Sequence, residues 1–170
     1  MTLRIRFLVC ASLLNIPAFA AAAPDTQIAQ SAPANPEAKL YDPARNAAVD
    51  VDAALIRAAA SDKRVIVVMG ANWCHDSIGL AGWFETPRFK AMMSPKYELV
   101  YVDVGTPQTG HGRNLDIAKR FHASKIKGTP TVLILSSQGQ LLNKNDAGSW
   151  RNAASRSEED IFAYFAAAQK

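Results

Sequence analysis

Seven consecutive residues, Ala71-Asn72-Trp73-Cys74-His75-Asp76-Ser77, gather the most reactive side chains of this 170-residue chain. They set a thiol between an indole and an imidazole, with a hydroxyl three positions on. A cysteine is a nucleophile only as its thiolate, and the unpaired amides and positive dipole end at a helix start favour that anion. A protonated His75 would act in the same direction, whereas Asp76, a like charge, opposes it and serves to stabilise the helix start. Ser77 lies on the same helical face as Cys74, so its hydroxyl is expected to donate to the sulfur, but it cannot form a disulfide. Adjacent helical residues point apart, which argues against His75 as a direct base and leaves it a modulator or a solvent-facing residue. The competing reading of Cys74 is a buried, inert cysteine.

Those residues need a strand behind them and a helix ahead. Arg64-Val65-Ile66-Val67-Val68-Met69 is β-branched and apolar without polar alternation, the pattern of a strand covered on both faces, and Gly70 ends it. A helix is predicted from about His75 to Phe84, and a short one from Pro87 to Met93 with the proline in its first turn. Upstream, Asp50 is expected to cap a helix over about Val51 to Ser61. Downstream, Leu99 to Val104 reads as a second strand, parallel to the first through a right-handed crossover. Asn114 opens a helix to about His122, and Thr131 to Leu135 is a third strand. Leu141-Leu142 is its expected hairpin partner, and Ser157-Glu158-Glu159-Asp160 caps a final helix.

Composition narrows the setting. Arg4 and Arg6 precede an apolar run from Phe7 through Ala20 with small residues after it, the pattern of a signal peptide over residues 1–22. The run is shorter than the roughly 20 residues of a spanning helix, and Asn15 and Pro17 interrupt it, so no stable membrane insertion is expected after its removal. Residues 23–39, rich in Ala, Pro and Gln, read as a flexible tether, and residues 40–170 as one domain. Cys10 falls in the signal region, so Cys74 is the sole cysteine expected in the mature chain and no intrachain disulfide can form. Losing Arg4 and Arg6 leaves 17 basic against 15 acidic side chains, an excess too small and scattered to argue for nucleic acid.

The order of elements, with Trp73-Cys74-x-x-Ser77 at the strand-to-helix junction and Gly128-Thr129-Pro130-Thr131 leading into the next strand, resembles the thioredoxin superfamily over residues Lys63 to Gln169. The resemblance implies an α/β thioredoxin-like fold: a central mixed sheet of about four strands flanked by helices, here with an extra N-terminal helix. It implies that the tryptophan-cysteine pair begins the active-site helix and that a cis proline, Pro130, faces the thiol. The backbone of Thr129 would then be open to an extended peptide pairing as an added strand, with Trp73 as the groove floor or a core-edge aromatic. Two departures matter: the family's second active-site cysteine falls on Ser77, and its buried aspartate falls on Val68. Both parts of the step that resolves a mixed disulfide are therefore missing. The phrase Asn72-Trp73-Cys74-His75-Asp76-Ser77 looks like that of a bacterial exported subgroup, which implies the periplasm.

Two functions follow. One is monothiol thiol-disulfide exchange, with Cys74 as nucleophile, Ser77 and His75 as modulators, Trp73, Thr129 and Pro130 shaping the groove, and protein or small-molecule thiols and disulfides as partners. The other is a non-redox module that keeps the groove for a peptide. No cofactor is expected; a metal site from Cys74, His75, Asp76 and His111 lacks any established ligand spacing. A cysteine hydrolase would need a histidine base, and nothing in the sequence places His111 or His122 near Cys74. The loop Thr106 to Arg113 reads as an ordinary connection, and Ser149-Trp150-Arg151-Asn152 as either an interface patch or the closed end of the core.

Overall fold

The computed structural model describes residues 35–123 and 126–168; the expected signal peptide and most of the expected tether lie outside them. In chain order the elements are α1 (Ala47–Ser61), β1 (Arg64–Gly70), α2 (His75–Glu85), α3 (Pro87–Met93), β2 (Tyr97–Asp103), β3 (Gly105–Thr106), β4 (His111–Gly112), α4 (Leu115–Arg120), β5 (Thr131–Leu135) and α5 (Glu158–Ala167), with a 3-10 segment over Ala147–Ser155.

β1 is the middle of the main sheet, parallel to β2 in the register Arg64 opposite Tyr97 and antiparallel to β5 in the register Val68 opposite Val132. Its side chains alternate between two cores, as the period of two along a strand requires. Ile66 and Val68 pack with Leu80, Phe84 and Phe165 on the α2 and α5 side. Val65, Val67 and Met69 pack with Val51, Ala54 and Val102 on the α1 side. Each such side chain contributes about 1.5–3 kcal/mol on full burial, which is why the run carries no polar residue.

Several boundaries differ from the sequence reading. α1 starts a turn earlier than Val51: the Asn46 side chain caps it by accepting from Val49 N, and Asp50 instead pairs with Arg45 at 2.6 Å. α4 ends at Arg120, short of His122, and Asn114, at φ 54°, caps it from the left-handed region. The expected fourth strand at Leu141-Leu142 is a single bridge from Leu135 to Leu141, so the main sheet has three strands. Asn143 takes the place of that strand, accepting from Ile134 N at 2.9 Å and donating to Val132 O at 2.9 Å. One side chain thus satisfies the edge groups that a paired strand would have satisfied.

Residues 35–39, read from the sequence as the end of a flexible tether, are packed on the domain. Asn35 donates to Ala154 O, Ala38 N donates to Ile78 O at 3.0 Å, and a Cβ on Gly82 would overlap the Pro36 carbonyl. Residues 35–41 therefore form a strap along α2. Trp150 settles as core: it is fully buried and stacked on Phe165 at 4.9 Å, with the Arg156 guanidinium over its ring. No helix among the described residues is long and apolar enough to cross a membrane.

All four tyrosines, Tyr41, Tyr97, Tyr101 and Tyr164, are held above the ordinary phenol range, chiefly by burial. Tyr164, which also donates to Asp146 at 2.6 Å, is pushed up to about 12. Below about pH 10 these phenols are neutral in both folded and unfolded chains. Above it the unfolded chain ionises while the folded one resists, so stability falls as pH rises. We predict a urea midpoint that is level from pH 7 to 9 and declines from about pH 10, less steeply in Tyr164→Phe; a midpoint still level at about pH 11.5 would contradict this.

Candidate functional site

The site forms where β1 runs out. Gly70 O accepts from Val104 N at 2.9 Å, and Ala71 to Trp73 make the turn into α2. Cys74 is the N-cap of that helix, with extended dihedrals (φ −89°, ψ 116°), and its carbonyl accepts the first helical bond from Ile78 N. Its side chain caps nothing. The Sγ instead lies 3.4 Å from Thr129 O, and the residue is 8 % exposed. The Thr129-Pro130 peptide is cis, and its own carbonyl, that of Thr129, accepts from the thiol. Two segments 55 residues apart in sequence thus meet at the sulfur.

Trp73 is 55 % exposed beside it, and its indole N–H donates to Gly105 O at 3.0 Å. Gly105 sits at φ 61°, and a Cβ there would lie 2.5 Å from His111 O, so the small β3–β4 hairpin depends on glycine at this point. The tryptophan is thereby held by Gly105, the residue that enters the Thr106 to Arg113 loop. His111 stays exposed on β4, where its Nδ1 faces Thr109 Oγ1.

Ser77 is fully buried and its hydroxyl has no hydrogen-bond partner in the described structure, so the bond expected between Ser77 and the sulfur is not made. The Cys74 thiol donates to Thr129 O instead. His75 turns outward, with Nδ1 2.9 Å from Glu37 Oε1 on the strap. Asp76 accepts from Ala154 N at 2.8 Å, tying the start of α2 to the 3-10 segment. The imagined metal set does not assemble: no group of three or more His, Cys, Asp or Glu side chains able to hold an ion occurs among the described residues.

Two residues given no role by the sequence reading hold this corner together. Tyr41, on the strap, is fully buried, edge-on to Tyr101 at 5.6 Å, and donates to Ser77 O at 3.1 Å. The Asn72 amide clips the Tyr41 backbone twice, accepting from its N–H at 3.1 Å and donating to its carbonyl at 2.9 Å. The Tyr41 phenol is pushed up first by burial, then by the neighbouring Tyr101 and Cys74, so it stays neutral beneath the site. Its signal was present in the sequence, a lone aromatic directly after an Ala- and Pro-rich stretch, but nothing local ties such a residue to a helix more than thirty positions on.

Gly70 is the seat of this packing, since a Cβ there would lie 2.6 Å from the Tyr41 ring and 2.7 Å from Ser77 Oγ. Gly70→Ala is expected to cost about 1–3 kcal/mol in urea unfolding through overpacking. Ser77→Ala removes a buried hydroxyl that has no partner and is expected to be neutral or stabilising by up to about 1 kcal/mol. Gly70→Ala should lower stability and Ser77→Ala should not; equal losses would mean that Ser77 makes a bond the geometry does not contain.

A family model described as thioredoxin-like matches residues 45–137, from the edge of α1 through β5. Among solved structures, a disulphide isomerase from Xylella fastidiosa Temecula1 is 28% identical with a TM-score of 0.69, over 76% of this chain and 96% of that one. A protein of unknown function from Pseudomonas aeruginosa is 16% identical with a TM-score of 0.38, over 68% of this chain and 74% of that one. No curated protein matches the sequence. With more than half its length matched, and with the mixed sheet, the helix-capping cysteine and the cis proline all in place, the chain belongs to the thioredoxin-like family.

Proposed function

We propose that this protein exchanges thiols and disulfides through Cys74 as a monothiol, in the bacterial periplasm, after loss of an N-terminal signal peptide. The observation that carries the reading is the seating of Cys74 Sγ at the start of α2, 3.4 Å from the carbonyl that precedes the cis proline, with no second cysteine among the described residues. The likeness to a disulphide isomerase supports it. The Cys74 thiolate attacks one sulfur of a substrate disulfide; a new S–S bond forms, the old one breaks, and the displaced thiolate takes its electron pair and a solvent proton. An external thiolate then attacks the substrate sulfur of the mixed disulfide, releasing Cys74 as thiolate and leaving the substrate joined to the external thiol. Trp73 and the Thr129 backbone position the substrate, while Ser77 and His75 modulate the site from behind and outside.

A second reading, a peptide-binding module without redox turnover, has one observation in its favour: the sulfur is largely covered. The two separate cleanly. With a small aromatic disulfide, the mature protein is expected to accumulate one stable mixed disulfide by mass, absent in Cys74→Ser and discharged by added thiol. Ser77→Cys restores a thiol one helical turn away and is expected to shorten the lifetime of that adduct at least about tenfold without added thiol. Failure of the native protein to form any adduct, with peptide binding intact in Cys74→Ser, would establish the binding module instead.

A further inference from the structure

The loop that carries the cis proline borders a second feature that the exchange chemistry does not use. A cleft of about 300 Å³ opens between Lys127 and Thr131 on one side and residues 144–151 on the other, and Lys127, Lys144 and Arg151 line it with no acidic side chain among its described walls. All three cations are exposed, and none has an ion-pair partner among the described residues. Elsewhere Arg45, Arg57, Arg88, Lys90, Arg113 and Arg120 are each paired with a carboxylate, while Lys39, Lys119 and Arg156 are scattered cations without an ion pair among the described residues; in the cleft three such cations share one wall. Asp146, next in sequence to the lining residues Asn145 and Ala147, is directed to the Tyr164 hydroxyl and is not among the cleft walls.

The cleft is joined to the thiol by covalent geometry. Its wall includes Thr131 and Lys127, which flank Gly128-Thr129-Pro130, and Thr129 O is the atom that meets Cys74 Sγ. Arg151 lies against Gly128 so closely that a Cβ there would overlap its Cδ, and its Nε donates to Gly148 O at 3.3 Å. The backbone of Lys127 is therefore two residues, or about 7 Å along the chain, from the residue whose carbonyl meets the sulfur. Among the described residues no backbone carbonyl accepts from the amide of Thr129, a residue 5 % exposed, and in the proposed exchange this amide pairs with the substrate backbone. A peptide extended there advances about 3.3 Å per residue. Its neighbours to the reacting cysteine come level with the cleft.

We propose that this cleft is a carboxylate subsite, and that the disulfide substrate of Cys74 is a peptide carrying an acidic residue one or two positions from its cysteine. This rests on the exchange reading above. Electrostatic complementarity of this kind acts mainly on the rate of productive encounter and is screened by salt.

The test uses two synthetic peptides identical except for Glu or Gln at the residues flanking a single cysteine, each activated as its 2-thiopyridyl disulfide. Cys74 attacks the peptide sulfur and 2-thiopyridone leaves, giving the same chromophore in both arms. The mature protein is expected to react about 5- to 10-fold faster with the Glu peptide at low salt, the ratio falling toward unity at about 0.5 M salt. Lys127→Gln with Lys144→Gln is expected to lower the Glu-peptide rate and leave the Gln-peptide rate unchanged, which also reports that the variant is folded. Arg151→Gln, whose side chain packs on Gly128, is read against the same internal standard. Equal rates for both peptides, or a preference that survives the lysine changes, would overturn the subsite and leave the exchange reading standing. If neither peptide reacts, the exchange reading falls and the subsite with it.

Discussion

A strand buried on both faces has to end where its chain can leave the sheet without opening a hole, and in this protein that place is Gly70. Because it lacks a Cβ, the Tyr41 ring and the Ser77 side chain close over the end of β1 at van der Waals contact. Tyr41 then fastens α2 through the Ser77 carbonyl, and Asn72 fastens Tyr41 in return. The position of the thiol follows from this closure. Cys74 stands at the first point past the plug where the backbone turns back into a helix, and the cis-proline loop is level with it because β5 pairs antiparallel with the same strand.

The floor beneath the sulfur is neutral as a consequence. Val68, fully buried in the core with Leu80 and Ile134, occupies the strand position at which relatives in the superfamily carry a carboxylate, and the phenol of Tyr41 is kept protonated by its burial. No ionised side chain lies among these buried neighbours to receive a proton. In the proposed exchange, protons must therefore pass by way of solvent and partner thiols, which agrees with a site that also lacks a second sulfur. Asp76 and His75, the two residues that follow Cys74, are committed elsewhere, one to Ala154 and the other to Glu37.

Much of this was legible in the sequence because it is locally written. An uninterrupted apolar strand, a glycine, a helix-starting cysteine and the Thr129-Pro130 pair each announce themselves within a few residues. What was not legible is held by long-range contacts. The strap over residues 35–41 has the composition of a tether, yet its backbone bonds to α2 and its tyrosine fills a void that exists only because Gly70 lies thirty residues away. Leu141-Leu142 has the pattern of a hairpin strand, but Asn143 satisfies the edge of β5 with its side chain and the strand never propagates. Ser77 was expected to reach the sulfur by helical spacing alone; the carbonyl of Thr129, invisible to spacing, is the partner.

The covering of the sulfur and the unpartnered amide beside it are two aspects of one arrangement. The Thr129 carbonyl points at Cys74 and shields it, while the amide of the same residue has no partner in the described backbone. A small reagent gains nothing from that amide and must reach a thiol that is 8 % exposed. In the proposed exchange an extended peptide pairs with the amide, lies against Trp73 and brings its own sulfur to the gap in one movement, so binding energy realised along the strand is spent on alignment at the reacting atoms. Selectivity in such a site comes from the groove before it comes from the thiol.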